Sequence, residues 1–177
     1  MPARQAIPLP YKFIKMKKSI FLLAFFALTF LNNSYSQTGT SPLLQYYYGV
    51  KDALVAGDAK AAASQAGELL QAINGVDMKK LTPAQHTSFM SLQDKLAMDA
   101  RHISEVTNIS HQREHFASLS TNMFTLAKAM PLSDQPIYRD YCPMKKTYWL
   151  SNEAAIKNPY FGSTMLTCGS VTATLKQ

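Results

Sequence analysis

The chain has 177 residues, of which 47% are hydrophobic and 16% are charged, so it is long enough to bury the core of one globular domain. Five of its 18 Lys and Arg residues lie in the first 36 positions, which contain no acidic residue, and residues 37–177 carry a formal charge of only +2. Nucleic-acid binding needs a clustered basic surface. The charge distribution therefore argues against a nucleic-acid partner.

Residues 1–36 have the organisation of a secretory signal peptide. Two lysines precede an apolar run from Ile20 to Leu31, and Ser34-Tyr35-Ser36 places small residues at the positions that a signal peptidase reads. The run is too short to cross a bilayer as a helix, which takes about 20 residues. We therefore expect cleavage after Ser36, no membrane anchor after cleavage, and a periplasmic protein with one helical domain, residues 37–177.

Residues 41–130 show the hydrophobic periodicity of four successive helices. Capping residues mark the first three starts, at Ser41, Asp58 and Thr82, and Thr107-Asn108 breaks or kinks the chain between the third helix and the fourth. The fourth helix carries an apolar stripe that needs burial: Phe116, Leu119, Met123, Leu126 and Met130. Because short connections favour antiparallel neighbours, the pattern predicts an all-α fold, an up-down four-helix bundle.

Residues 131–177 have a different character. Their prolines and their lack of a long periodic face predict an irregular C-terminal extension, packed on the bundle through its aromatic side chains. Ile137-Tyr138 and residues 171–175 suit either short strands or a final helical turn. Residues 151–156 suit one or two helical turns.

This extension contains the two cysteines of the chain, Cys142 and Cys168. In an exported protein two cysteines favour a disulfide, and closing such a loop would stabilise the fold by roughly 3 kcal/mol. The alternative is a metal site, because thiolate and thioether sulfur suit Cu(I) and similar ions. The residues alone favour the disulfide slightly, and both interpretations stay open.

The metal interpretation draws its ligands from three segments. Cys142 and Met144 leave the same face of an extended segment, and Met165 and Cys168 share one face of a turn. His115 on the fourth helix supplies a nitrogen ligand. His111 lies one turn earlier on the same face, but solvent exposure is favoured over ligation for it, and His86 and His102 are expected at the surface.

Several stretches of the chain resemble a known bacterial domain: "ISHQREHFASLSTNM" (109–123), "PIYRDYCPM", "YWLS" and "IKNPYFGSTMLTCG". That domain is of unknown function and is found alone or fused to periplasmic adaptor subunits of heavy-metal efflux pumps. The resemblance covers about residues 43–175. It implies an exported helical domain associated with copper or silver handling, with these motif positions: His115, Cys142, Met144, Met165 and Cys168.

Two functions follow as expectations. The first is a non-enzymatic periplasmic protein that binds Cu(I) or Ag(I), and sequesters the ion or passes it to an efflux adaptor. The alternative is a structural or interaction module in which Cys142 and Cys168 form a disulfide. Catalysis is not expected, because the chain has no G-x-S-x-G or paired-carboxylate pattern and a thiol nucleophile depends on a nearby base.

Overall fold

The computed structural model describes residues 41–176, so the predicted leader and its cleavage position lie outside the described residues. The described part contains four α-helices: α1 (Pro42–Ala56), α2 (Ala59–Asn74), α3 (Pro83–Glu105) and α4 (Ile109–Ala129). Three β-strands follow the helices in this part of the chain: β1 (Ile137–Cys142), β2 (Thr147–Ser151) and β3 (Ser170–Leu175).

The helices begin and end where their capping residues predict. Gly57 ends α1 with a φ of 77°, a left-handed conformation that glycine adopts without strain. Asp58 caps α2 by accepting hydrogen bonds from two backbone N–H groups. Thr82 and Gln85 form a reciprocal capping box at the start of α3, and the Asn108 side chain accepts the N–H three residues later to start α4.

The four helices pack in chain order, each against the next, as an up-down bundle requires. The apolar stripe of α4 is buried as predicted, with four of its members fully shielded from solvent: Phe116, Leu119, Met123 and Leu126. The prediction of four bundled helices is therefore confirmed. Among the helices of residues 41–176, none combines the length and the apolar character needed to cross a membrane.

The all-α assignment is wrong for the C-terminal extension, which forms a three-stranded antiparallel sheet with the strand order β2-β1-β3. Cys142 pairs with Thr147 in the β1–β2 hairpin, and Tyr141 pairs with Ser170 across to β3. Residues 152–155 are bends rather than the predicted helical turns. Each strand has only five or six residues, too few to show a clear two-residue period, and β3 pairs with a strand far away in sequence.

The sheet is attached to the bundle through buried polar and apolar contacts. Trp149 and Leu150 of β2 are buried against the helices. The backbone N–H of Leu150 donates to the Tyr47 hydroxyl of α1 at 2.9 Å, and that hydroxyl lies 2.7 Å from Ser120 Oγ of α4. One tyrosine therefore connects two helices and a strand, and the prediction that the extension packs on the bundle is confirmed.

Candidate metal centre

Three histidines meet where α3 turns into α4. His102 lies in the last turn of α3, and His111 and His115 lie one turn apart at the start of α4. Within the described residues, these three form the one group of His, Cys, Asp or Glu side chains that could hold a metal ion, with all ligand atoms within 4.8 Å of one another. The ring centroids of His102 and His115 are 4.5 Å apart, and those of His111 and His115 are 4.8 Å apart.

The corner between the two helices is fixed by a buried side chain. Gln112, on the inner face of α4, is fully shielded from solvent. Its Nε2 donor lies 3.2 Å from the Ile103 carbonyl and 2.7 Å from the Val106 carbonyl, at the end of α3, and 2.9 Å from the Ala59 carbonyl of α2. Because carbonyls at a helix end lack partners within the helix, this contact determines how α3 leads into α4 and places the histidines opposite one another.

A buried carboxylate orients one of the three imidazoles. Asp99 of α3 is only 1% exposed, and its Oδ1 lies 3.1 Å from His115 Nδ1. Ser118 donates its hydroxyl to the other carboxylate oxygen at 2.6 Å. A carboxylate that accepts the Nδ1–H of a histidine leaves Nε2 free to bind a metal and makes that nitrogen a better donor. Asp99 therefore has the position of the supporting carboxylate found behind metal-binding histidines.

The cluster is shallow, and its three members differ in exposure. His102 is exposed, whereas the side chains of His111 and His115 are 44% and 23% exposed. His111 Nδ1 lies 3.9 Å from the carboxylate of Glu114, which is itself largely exposed. Nitrogen ligands of one tetrahedral zinc ion lie about 3.4 Å apart, given metal–nitrogen bonds of about 2.1 Å. Small rotations of these side chains would close the cluster to that size.

The donor set defines what the cluster can bind. Neutral imidazole is a ligand for zinc, copper, nickel and iron ions. Three protein ligands leave a fourth coordination position for water or an incoming donor. The arrangement therefore suits a borderline or soft transition-metal ion and does not suit Ca²⁺ or Mg²⁺, which bind oxygen ligands.

The two cysteines form a second, separate pair. Asn158 holds both segments, because its Nδ2 group donates to Cys142 Sγ at 3.1 Å and to the Cys168 carbonyl at 2.7 Å. The backbone N–H of Lys145 also points at Cys142 Sγ, at 3.4 Å. Both cysteines are free thiols. Partial burial, and then the neighbouring Cys142 with which its thiol hydrogen-bonds, raise the pKa of Cys168 above the ordinary value.

The five predicted ligands do not come together in one site. Cys142 and Cys168 lie together, and a backbone hydrogen bond of 3.1 Å joins Met165 to Cys168 in one turn, as the spacing predicts. Met144 is 62% exposed in the turn between β1 and β2. His115 contacts Asp99 and the other two histidines rather than either cysteine.

Two members of the histidine cluster and its supporting carboxylate were missed at the sequence level. His102 was placed at the helix surface, and Asp99 was not considered. His111 was recognised on the same face as His115, but solvent exposure was favoured for it. The helix break at Thr107 contains the missing signal, because His115 follows it by eight residues and Asp99 precedes it by eight. In an antiparallel hairpin, residues at equal distances from the turn lie side by side, and the four-residue spacing of His111 and His115 adds a second ligand on the same face.

Comparison with known proteins gives one match. A family model described as "Protein of unknown function (DUF3347)" matches residues 43–135. The matched range contains the four helices except Pro42, together with all three histidines, and it ends before β1 and the cysteines. No curated protein and no solved structure matches the chain.

Proposed function

The chain belongs to the DUF3347 family, whose function is unknown, and we propose that it is a non-enzymatic protein that binds a transition-metal ion through His102, His111 and His115. The observation behind this proposal is the convergence of three imidazoles to within 4.8 Å at a rigid helix corner. Asp99 behind His115 supports it, because a carboxylate at Nδ1 orients the ring and leaves Nε2 free to bind the ion.

We propose copper as the ion. Imidazole nitrogen and cysteine sulfur are both copper ligands, the sulfur favouring the Cu(I) state. Ag(I) shares that preference for soft donors and is the second ion that such a protein would take. The proposed role is to sequester the ion or to pass it to an efflux system.

A second metal site is proposed at the thiol pair. Cys142 and Cys168 are free, adjacent and joined through Asn158, and Met165 lies in the same turn as Cys168. Two thiolates suit Cu(I) or Ag(I) better than the histidines do. The competing proposal is that the two thiols form a disulfide. The sheet would then be a cross-linked structural or interaction module.

Location and partner are proposed from the sequence. The basic, apolar and small-residue order of residues 1–36 favours export to the periplasm. The resemblance to domains fused to efflux adaptors favours such an adaptor as the acceptor of the ion. The near-neutral charge of residues 37–177 favours no nucleic-acid partner.

The test of the main proposal is a calorimetric titration of the protein with Zn²⁺, and with Cu(I) under anaerobic conditions. We expect one ion per chain at the histidines, and a loss of affinity of about 100-fold or more for His115→Ala, because one of three ligands is removed. His86→Ala is the matched control, since His86 is exposed on the same helix as His102 and lies outside the cluster. Binding that responds equally to both substitutions, or no binding at all, would contradict the proposal.

The thiol pair is tested separately by counting free thiols in protein isolated from the exporting cell. Two free thiols and a second equivalent of Cu(I) would support the sulfur site. No free thiols in the intact protein, with two recovered after reduction, would support the disulfide.

A further inference from the structure

An exposed methionine flanks the histidine cluster. Met98 lies on α3 four residues before His102 and is 48% exposed. Residues four apart on a helix are neighbours on its surface, with their Cβ atoms about 5–6 Å apart. Helical side chains also lean towards the N-terminus, so the imidazole of His102 lies over the turn that carries Met98.

Met98 lies outside the packed face of α3. Methionine is among the residues most often buried, and the core positions of α3 are filled by other apolar side chains: Phe89, Leu92, Leu96, Ala100 and Ile103. Asp99, the residue after Met98, contacts His115 of α4, and His102 contacts the same histidine one turn later on α3. Met98 is therefore at the outer edge of the cluster, beside the most exposed histidine.

We infer that Met98 supplies the fourth ligand of the site when the bound ion is Cu(I) or Ag(I). This inference rests on the proposed function. It adds an explanation of how the site would bind Cu(I) or Ag(I) in preference to Zn²⁺. Three imidazoles leave one coordination position open, and a thioether is a donor that suits soft monovalent ions. Zinc takes Cys, His, Asp or Glu ligands in proteins. The ion Zn²⁺ would therefore fill the open position with water, whereas the soft ions gain a sulfur ligand there.

Binding through Met98 involves no oxidation or reduction. The ion keeps its charge, one metal–sulfur bond forms and one bound water or buffer ligand leaves. The flexible, unbranched side chain of methionine can reach the ion from a neighbouring turn. Because the residue is exposed, it can also release the ion to an acceptor without any change in the core.

The test uses the full chain with ¹³C-labelled methionine methyl groups, followed by nuclear magnetic resonance. Ag(I) is the soft probe, because it is diamagnetic and stable in air, and Zn²⁺ is the comparison ion. Met98→Leu identifies the Met98 signal and removes the sulfur at nearly the same volume. Met90→Leu is the matched control, since Met90 is 50% exposed on the same helix but two turns further from the histidines.

We expect Ag(I) to shift the Met98 methyl signal together with the imidazole signals of His102, His111 and His115, and Zn²⁺ to shift the imidazole signals alone. Met98→Leu should weaken Ag(I) binding at the histidines by about 10-fold or more and leave Zn²⁺ binding unchanged. Met90→Leu should change neither. Because each signal reports its own residue, Ag(I) bound at the thiol pair does not obscure the result.

The failures of the two proposals are distinguishable. If neither ion shifts the imidazole signals, both the histidine metal site and the role of Met98 are wrong. If both ions shift them while the Met98 signal stays in place and Met98→Leu binds Ag(I) as tightly as the wild type, the metal site stands and the role of Met98 is wrong.

Discussion

The α3–α4 hairpin and the three-stranded sheet each bring metal-binding donor atoms together, but they do so by different means. In the hairpin, His102 and His115 are 13 residues apart and meet because two helices are joined by a tight turn. In the sheet, Cys142 and Cys168 are 26 residues apart and meet because β1 pairs with β3 and Asn158 spans both segments. The nitrogen site is therefore formed by segments close in sequence, whereas the sulfur pair depends on contacts between segments far apart in sequence.

The largest effect is expected at Phe116, which belongs to the core shared by both regions. Its ring stacks on Tyr47 at 5.2 Å and lies 6.0 Å from Tyr160. Phe116→Ala should lower the free energy of unfolding by about 3–5 kcal/mol, because the cavity remains after the aromatic ring is removed. Urea denaturation followed by circular dichroism measures this. Thr121→Ala, at an exposed position of the same helix, is the control and should change stability by less than about 0.5 kcal/mol.

A Phe116→Ala protein as stable as the Thr121→Ala protein would show that the wrong face of α4 has been assigned to the core. It would also contradict the statement that the α3–α4 hairpin and the sheet share a core at Phe116.

One physical cause explains why the helices were predicted and the sheet was not, although short strands had been considered at 137–138 and 171–175. The capping signals at Asp58 and Thr82 act within a few residues, so the sequence around each of them contains the information. The pairing of Tyr141 with Ser170 is decided by contacts across 29 residues. Strands of five or six residues contain too little local pattern to predict such pairing.

The second prediction disrupts the sulfur pair and leaves the nitrogen site intact. Asn158 is fully buried and also accepts the N–H of Tyr160 at 2.8 Å. Asn158→Ala should destabilise the protein by about 2–3 kcal/mol, because several buried groups lose their partner at once. It should also speed alkylation of Cys142 and Cys168 by iodoacetamide while Zn²⁺ affinity at the histidines stays unchanged in the folded protein.

Asn152→Ala is the control for this experiment, because Asn152 is exposed at the end of the same sheet. A parallel loss of Zn²⁺ affinity in the folded Asn158→Ala protein would mean that the two regions are not independent.

The third prediction disrupts the nitrogen site and leaves the sulfur pair intact. Asp99→Asn removes the negative charge that orients His115 and strengthens it as a donor. Zn²⁺ affinity should fall about 30-fold, equivalent to about 2 kcal/mol, by calorimetric titration. Asp94→Asn on the exposed face of α3 should have no effect, and equal losses in the two variants would point to a general charge effect rather than a positioned carboxylate.

The candidate site was only partly predictable because ligand roles depend on which helix faces meet. His115 was identified as a ligand, but its assigned partners were the cysteines. His102 looks like an ordinary surface residue until the antiparallel alignment of α3 and α4 places its ring 4.5 Å from that of His115. The turn at Thr107 was recognised in the sequence, so the alignment followed from an observation already made, but the pairing of residues across it was not worked out.

The fourth prediction concerns the interface between sheet and bundle, where Asp140 of β1 is fully buried. Burial raises the pKa of Asp140 from 3.8 to about 7, and the charge of Lys51 opposes part of that rise. Lys51 is buried too, and its Nζ pairs with the exposed Asp52 at 2.8 Å. The sheet thus contributes a titrating group of its own, away from the histidine hairpin.

The sign of the pH dependence follows from the direction of this shift. Because the folded protein binds the Asp140 proton more tightly than the unfolded chain does, the contribution to stability is complete below about pH 4 and is lost as pH rises to about 7. Asp140→Asn removes the titration. The two proteins should be equally stable near pH 4, and the variant should become the more stable of the two as pH rises to 8.

Urea denaturation at pH 4, 6 and 8 measures this difference, with Asp52→Asn as the control because that carboxylate is exposed and contacts the same lysine. If the difference between Asp140→Asn and the wild type does not change across this range, the pH dependence does not come from Asp140.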